Sequence, residues 1–125
     1  MIDKYKLFKF KLNRKNDIIE IGGGEGELSK NLIKLGYKIV LFVEPDINKY
    51  KQATRKLQNV DCLNKSIENI DLKKINSKSL NVTVIMQDVI EHIRIDSQKI
   101  FFEKLKTSYE QINLIGRTPN LKSPF

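Results

Sequence analysis

The sequence predicts an α/β domain in which a doubly wound, mainly parallel sheet carries helices on both faces. Three observations predict it. From Asp17 onward, short apolar runs alternate with stretches of helical period, the pattern of βαβ units. The first run breaks on Gly22-Gly23-Gly24-Glu25-Gly26 before a helical stretch, and the run 80–86 is rich in β-branched residues.

Asp17-Ile18-Ile19-Glu20-Ile21 is the first expected strand. After the glycines, Leu28, Leu32, Ile33 and Leu35 mark one face of a helix that closes at Gly36. Lys38 to Val43 forms the second strand and Glu44-Pro45-Asp46 turns it, with Asp46 placed to cap a helix carrying Ile47, Tyr50, Ala53, Thr54 and Leu57. Asn59 to Leu63 reads as a short third strand, and the polar passage through Ser66, Glu68, Asp71, Lys73 and Lys74 holds one helical turn. Leu80 to Met86 is the fourth strand, Asp96 to Ser108 a helix spaced through Ile100, Phe101, Leu105 and Tyr109, and Gln111 to Ile115 the fifth strand. Pro and Gly in 116–125 break further regular structure, and no internal repeat is evident. The expected division is a basic segment over 1–16 and one domain over 17–125.

At 125 residues, 40% hydrophobic and 30% charged, the chain has the balance of one globular domain with its own core. No run reaches the roughly eighteen apolar residues of a membrane span, and the interrupted start excludes a signal peptide, so a cytoplasmic protein without membrane contact is expected. The single cysteine, Cys62, builds neither a disulfide framework nor a zinc cluster, and no metal is expected. The net charge of +8 would suit a nucleic-acid partner if the cations clustered. Their densest group, Lys4, Lys6, Lys9, Lys11, Arg14 and Lys15, lies in the N-terminal segment between Tyr5, Phe8 and Phe10. Elsewhere the lysines are dispersed, which is the pattern of a solvated face.

A glycine turn between strand and helix lets a ligand approach the backbone closely. The dinucleotide pattern G-x-G-x-x-G needs glycine at position 27, which is Glu27 here; the sequence instead has G-x-G-x-G across Gly22, Gly24 and Gly26. Charge points the same way, because Glu20, Glu25 and Glu27 crowd the place of a dinucleotide's pyrophosphate. At roughly 6 Å and an effective dielectric of about 20, each such pair costs on the order of 2 to 3 kcal/mol. A ligand with an ammonium and a sulfonium would be welcome there. Glu25 and Glu27 also complement a helix dipole, whereas Glu20 stands inside an apolar strand. Glu44 ends the second strand roughly twenty residues past the loop, where a carboxylate accepts both hydroxyls of a ribose.

Four motifs follow in order: Ile18-Ile19-Glu20-Ile21-Gly22-Gly23-Gly24-Glu25-Gly26, Phe42-Val43-Glu44-Pro45-Asp46, Lys65-Ser66-Ile67-Glu68, and Val84-Ile85-Met86-Gln87-Asp88-Val89-Ile90-Glu91-His92-Ile93. In these the sequence resembles the class I, Rossmann-like S-adenosylmethionine-dependent methyltransferase superfamily, over nearly the whole chain from Asp17. The end, Arg117-Thr118-Pro119-Asn120 with Ser123-Pro124-Phe125, resembles bacterial small-molecule methyltransferases. The resemblance implies that Glu20, Gly22, Gly24 and Gly26 surround the methionine part of S-adenosylmethionine, that Glu44 binds the ribose hydroxyls, and that Pro45 and Asp46 also belong to the cofactor site. It also implies that Ser66, Ile67 and Glu68 border the adenine, while Gln87 and Asp88 line the cofactor and face the substrate. Ser66 stands where many relatives have aspartate.

Methyl transfer from a sulfonium is a direct displacement, so the protein aligns three atoms and, for a hydroxyl nucleophile, removes a proton. His92 and Asp88 are the candidate bases, although the Glu-His pair in resembling families often only braces the pocket. The resembling sheet continues beyond the fifth strand with a helix and a β-hairpin, so a chain shortened at its C-terminus is expected, with an unpaired strand edge open to self-association or a partner chain. The expected activity is methyl transfer to a small-molecule acceptor, such as a sugar or another hydroxyl metabolite. The alternatives are a truncated, non-catalytic cofactor-binding domain and a basic RNA-binding or RNA-methylating module, with a nicotinamide-dependent oxidoreductase behind them.

Overall fold

The computed structural model describes residues 12–75, 77, 79–87 and 93–117. The strands are β1 (Asp17–Ile21), β2 (Lys38–Val43), β3 (Cys62–Leu63), β4 (Asn81–Gln87) and β5 (Gln111–Arg117). The helices are α1 (Glu27–Lys34), α2 (Ile47–Lys56) and α3 (Ile95–Ser108), with two 3-10 turns at Ile67–Asn69 and Leu72–Lys74. The sheet order is β3-β2-β1-β4-β5 and every pairing is parallel. β1 is therefore central, and the order reverses between its two neighbours, opening a crevice at the carboxyl ends of the strands.

Because side chains alternate across a strand, each strand feeds two cores. Ile18, Ile39 and Ile85 pack with Leu28 and Leu32 of α1, and Phe42 packs with Ala53 of α2 and Leu57. On the other face Ile19, Ile21, Leu41, Val43, Val84 and Met86 meet Phe101 and Leu105 of α3, together with Ile67, Ile70 and Leu72 of the 3-10 turns. The sheet is thus covered on both faces, as expected for parallel strands.

Three expectations about local structure are corrected. The third strand is Cys62–Leu63 rather than 59–63, because Asn59 adopts a left-handed φ of 66° and so ends a turn instead of starting a strand. The apolar faces of the helices are narrower than their spacing implied. Ile33, Leu35, Ile47 and Ile100 are exposed at 38 to 47%, while Leu28, Leu32, Ala53 and Phe101 carry the contacts to the sheet. The polar passage after β3 holds two 3-10 turns instead of one. Asp46 caps α2 as expected, its carboxylate accepting from the N–H groups of Asn48 (2.9 Å) and Lys49 (3.1 Å).

Residues 12–16 are docked on the domain. Arg14 donates through Nε and Nη2 to the carbonyl of Leu35 at 3.1 and 2.9 Å and lies over the Tyr37 ring, 4.8 Å from its centre. It thereby satisfies an end carbonyl of α1 and adds a cation–π contact. Lys4, Lys6, Lys9 and Lys11 lie outside the described residues.

A polar cluster closes the opposite end of the sheet. Tyr109 donates its hydroxyl to Asp17 Oδ2 at 3.3 Å, and Asn16 donates to Thr83 Oγ1 at 3.4 Å. Asp17 is only 2% exposed. Burial pushes its carboxyl above the ordinary 3.8, against the lowering effects of Lys38 and the Tyr109 hydrogen bond. The folded protein therefore holds this proton more tightly than the unfolded chain. The resulting stabilisation is complete below 3.8 and is lost as pH rises through the raised value. Asp17→Asn keeps an acceptor for Tyr109 and cannot ionise. Its melting temperature relative to the parent is expected to climb between about pH 3.5 and 7. Melting curves that run parallel across that range would contradict the assignment.

Candidate functional site

The crevice at the carboxyl ends of the strands holds a cavity of about 430 Å³. Its walls are Ile21 and Gly22 from the end of β1, Val43 and Pro45 from the end of β2, Lys65 to Glu68 after β3, and Ile93, Arg94 and Ser97 at the start of α3. Ile21, Val43, Ile67 and Ile93 make much of this lining apolar. The size and character suit a drug-sized organic ligand with a few polar contacts.

The glycine loop beside the cavity is folded on its own backbone. Gly22 and Gly23 both donate their N–H groups to the carbonyl of Val43, at 2.8 and 3.3 Å, and Gly26 donates to the carbonyl of Gly23 at 3.1 Å. Gly24 donates to Oε1 of Glu44 at 2.7 Å. Gly22, Gly24 and Gly26 all have positive φ, between 62° and 86°, a backbone shape that disfavours side chains. The four glycine amides of the loop thus already have acceptors within the protein. A pyrophosphate needs such amides turned outward, towards itself.

Glu44 is 6% exposed and does not border the cavity; it stands directly before Pro45, which does. Its carboxylate is held at both oxygens, Oε1 by Gly24 and Oε2 by the N–H of Asp46 at 2.8 Å. Each carboxylate oxygen retains a further acceptor site, so the group can still receive two hydroxyls. Asn64 holds the same turn from the next strand, donating from Nδ2 to the carbonyls of Glu44 and Pro45 at 2.8 Å each.

Glu20 points to the other face of the sheet. It is 2% exposed and accepts from the Ser29 hydroxyl of α1 at 2.5 Å. Its carboxyl lies directly beneath Gly23, where a β-carbon would come within 2.9 Å of Glu20 Cδ and collide with the Phe42 ring. Glu20 thus places negative charge under the loop without lining the cavity. Glu25 is exposed, and Glu27 is paired with Lys56 of α2 at 2.7 Å, which holds its carboxyl below the ordinary range. The charge that sequence reasoning placed around the loop therefore reduces mainly to Glu20 and Glu44.

Of the expected site residues, Gly22, Pro45, Ser66, Ile67 and Glu68 meet around one cavity. Gly24, Glu44 and Asp46 form a hydrogen-bonded unit beside it, and Gly26 caps α1 against Ala53. The backbone of Gln87 pairs with that of Arg117 at the end of β4. Asp88 and His92 lie outside the described residues. Ser29, Asn64, Arg94 and Ser97 were not foreseen as site residues. Ser29 and Asn64 bond to groups distant in sequence, and Arg94 and Ser97 reach the cavity only through the fold, so no local pattern marks them. No group of His, Cys, Asp and Glu arranged to hold a metal occurs among the described residues, and no described helix is long and apolar enough to cross a membrane.

No family model matches the sequence, and no curated protein does. Solved structures do match. A TehB-like SAM-dependent methyltransferase from Corynebacterium glutamicum superposes with a TM-score of 0.64 at 13% identity, over 85% of this chain and 55% of that one. The glycopeptide N-methyltransferase MtfA, solved with sinefungin, gives 0.66 at 10% identity, over 86% and 44%. The sugar N-methyltransferase KedS8 from a Streptoalloteichus species gives 0.58 at 12%, over 84% and 41%. This chain spans about half the length of each, and the likeness is one of fold.

Proposed function

We propose that this chain, which has the Rossmann-like fold of the SAM-dependent methyltransferases, binds S-adenosylmethionine in the crevice between β1, β2 and α3 and serves methyl transfer to a small-molecule acceptor. The observation that carries the proposal is the closed glycine loop. Its four glycine amides are already paired, and Glu20 and Glu44 stand beneath and beside it. Such a loop favours a cationic ligand and offers a pyrophosphate nothing. MtfA has been solved with S-adenosylmethionine itself, S-adenosylhomocysteine and sinefungin.

The chemistry of the residues around the crevice supports this reading. Glu44 would take the ribose hydroxyls on its remaining acceptor sites, held in place by Gly24 and Asp46. Ile21, Val43, Ile67 and Ile93 would exclude water from the adenosine, with Ser66 and Glu68 offering polar atoms to the base. Glu20, fixed by Ser29, would lend its field to the positively charged methionine end. The bound cofactor supplies an electrophilic methyl on a sulfonium. The protein aligns the acceptor and, for a hydroxyl, removes its proton, for which Asp88 and His92 are the assigned candidates. The acceptor class we assign is a sugar or similar hydroxyl metabolite in the cytoplasm.

Calorimetric titration with S-adenosylhomocysteine, with NAD as control, tests the reading. Saturable binding of the first and none of the second is expected. Binding of NAD alone would replace the proposal with a nicotinamide enzyme.

A further inference from the structure

We infer that Lys104 is a positioning residue for the purine end of this pocket, an inference that rests on the cofactor reading above. Lys104 sits in the C-terminal half of α3, partly buried, and its ammonium donates to the main-chain carbonyls of Glu68 at 2.6 Å and Ile70 at 2.9 Å. These carbonyls belong to the middle residue and the C-cap of the 3-10 turn Ile67–Asn69, and its N-cap Ser66 together with Ile67 and Glu68 forms one wall of the cavity. Another part of the lining is the beginning of the same helix, with Arg94 as its N-cap and Ser97 in its first turn. Helix α3 therefore supplies one wall and grips the other. The lysine adds a polar tie to the apolar packing that sets their separation.

The chemistry suits a clamp. An ammonium has three donors and no acceptor, and two of the donors are spent on backbone oxygens rather than on a carboxylate. Charge-assisted bonds of this kind are short and strong. The turn's internal bonds, from Asn69 N–H to Ser66 O and from Ile70 N–H to Ile67 O, are local, so its distance from α3 is set by the packing of Ile67 and Ile70 with Phe101 and Leu105 and by the two bonds from Lys104. Ile67 and Ile70 remain anchored in the core without the lysine, so a variant that loses the ammonium keeps its fold and loosens the spacing.

Lys104→Met keeps the aliphatic stem and removes the donors; Lys104→Arg restores donors and charge. In calorimetric titrations Lys104→Met is expected to bind S-adenosylhomocysteine and adenosine about fivefold to tenfold more weakly, and Lys104→Arg to recover to within about threefold of the parent. Amide hydrogen exchange should rise in Lys104→Met at residues 67–70 and stay unchanged in the strands. Unchanged affinity in the Met variant, an Arg variant as weak as the Met variant, or a rise in exchange across the whole domain would each overturn the inference. If the parent binds neither ligand, the cofactor reading fails. Exchange at 67–70 then still decides the clamp, because no change there removes it.

Discussion

Glu44→Gln is expected to weaken S-adenosylhomocysteine binding by about a hundredfold or more while leaving the domain folded. Glutamine keeps one acceptor oxygen and replaces the other with a donor. One of the two amides now held, Gly24 or Asp46, would face an N–H group. The ligand would lose a charged acceptor for its ribose, and charge-assisted hydrogen bonds contribute about 1.5 to 3 kcal/mol each. Two of them correspond to roughly a hundredfold or more in affinity. Stability should fall less, by about 1 to 2 kcal/mol, because the affected amides are only partly buried. Titration of the variant beside a urea melt separates the effects. Binding within threefold of the parent would show that Glu44 only ties the loop to the strand, and would leave the ribose without its assigned partner.

The second large effect lies at Gly23 and concerns the fold. A β-carbon there would enter the ring of Phe42, a fully buried residue of the central sheet, and press on the Glu20 carboxyl that Ser29 holds. Neither neighbour is free to swing aside. Gly23→Ala is expected to lose about 3 kcal/mol or more, a large share of the stability of a domain this size. Gly24→Ala provides the contrast, because a β-carbon there meets nothing within 4 Å and only the positive φ of 62° opposes it. That strain costs about 1 kcal/mol. Equal urea midpoints for the two variants would show that the ring of Phe42 yields more easily than its packing implies.

The strands β1 and β2 were legible to the residue because a parallel sheet covered on both faces demands largely apolar runs, and the glycine loop and Glu44-Pro45 end them. The helices were legible in extent but not in orientation. Ile33, Leu35, Ile47 and Ile100 fit a helical period, and only packing reveals that the contact stripe excludes them. Asn59 hid the true start of β3, since its left-handed turn has no signature beyond the residue itself. At the site, Glu20 was conspicuous as an acid in an apolar strand. Its partner Ser29 was not, because a serine on the inner face of a helix looks like an interruption of the pattern. Lys104 looked like one more exposed lysine, and its contacts lie 36 and 34 residues away. Sequence patterns report what neighbours along the chain share. The ties that shape this pocket join segments that share nothing until the sheet has formed.

The central place of β1 also dictates an order of assembly. Asp17 pairs with Lys38 across 21 residues of chain but with Val82 across 65. The entropy of closing a loop grows with the logarithm of its length, and the difference between these two closures is about 1 kcal/mol. The expected sequence of folding is therefore β1 with β2 first, β4 afterwards, and α3 only once β4 is in place. The glycine loop, Glu44 and the Ser66 turn belong to the early half of the chain, while the wall that faces them arrives last. A ligand spanning both walls has nothing complete to hold until the slowest step is over, so it acts on the rate of unfolding and hardly at all on the rate of folding.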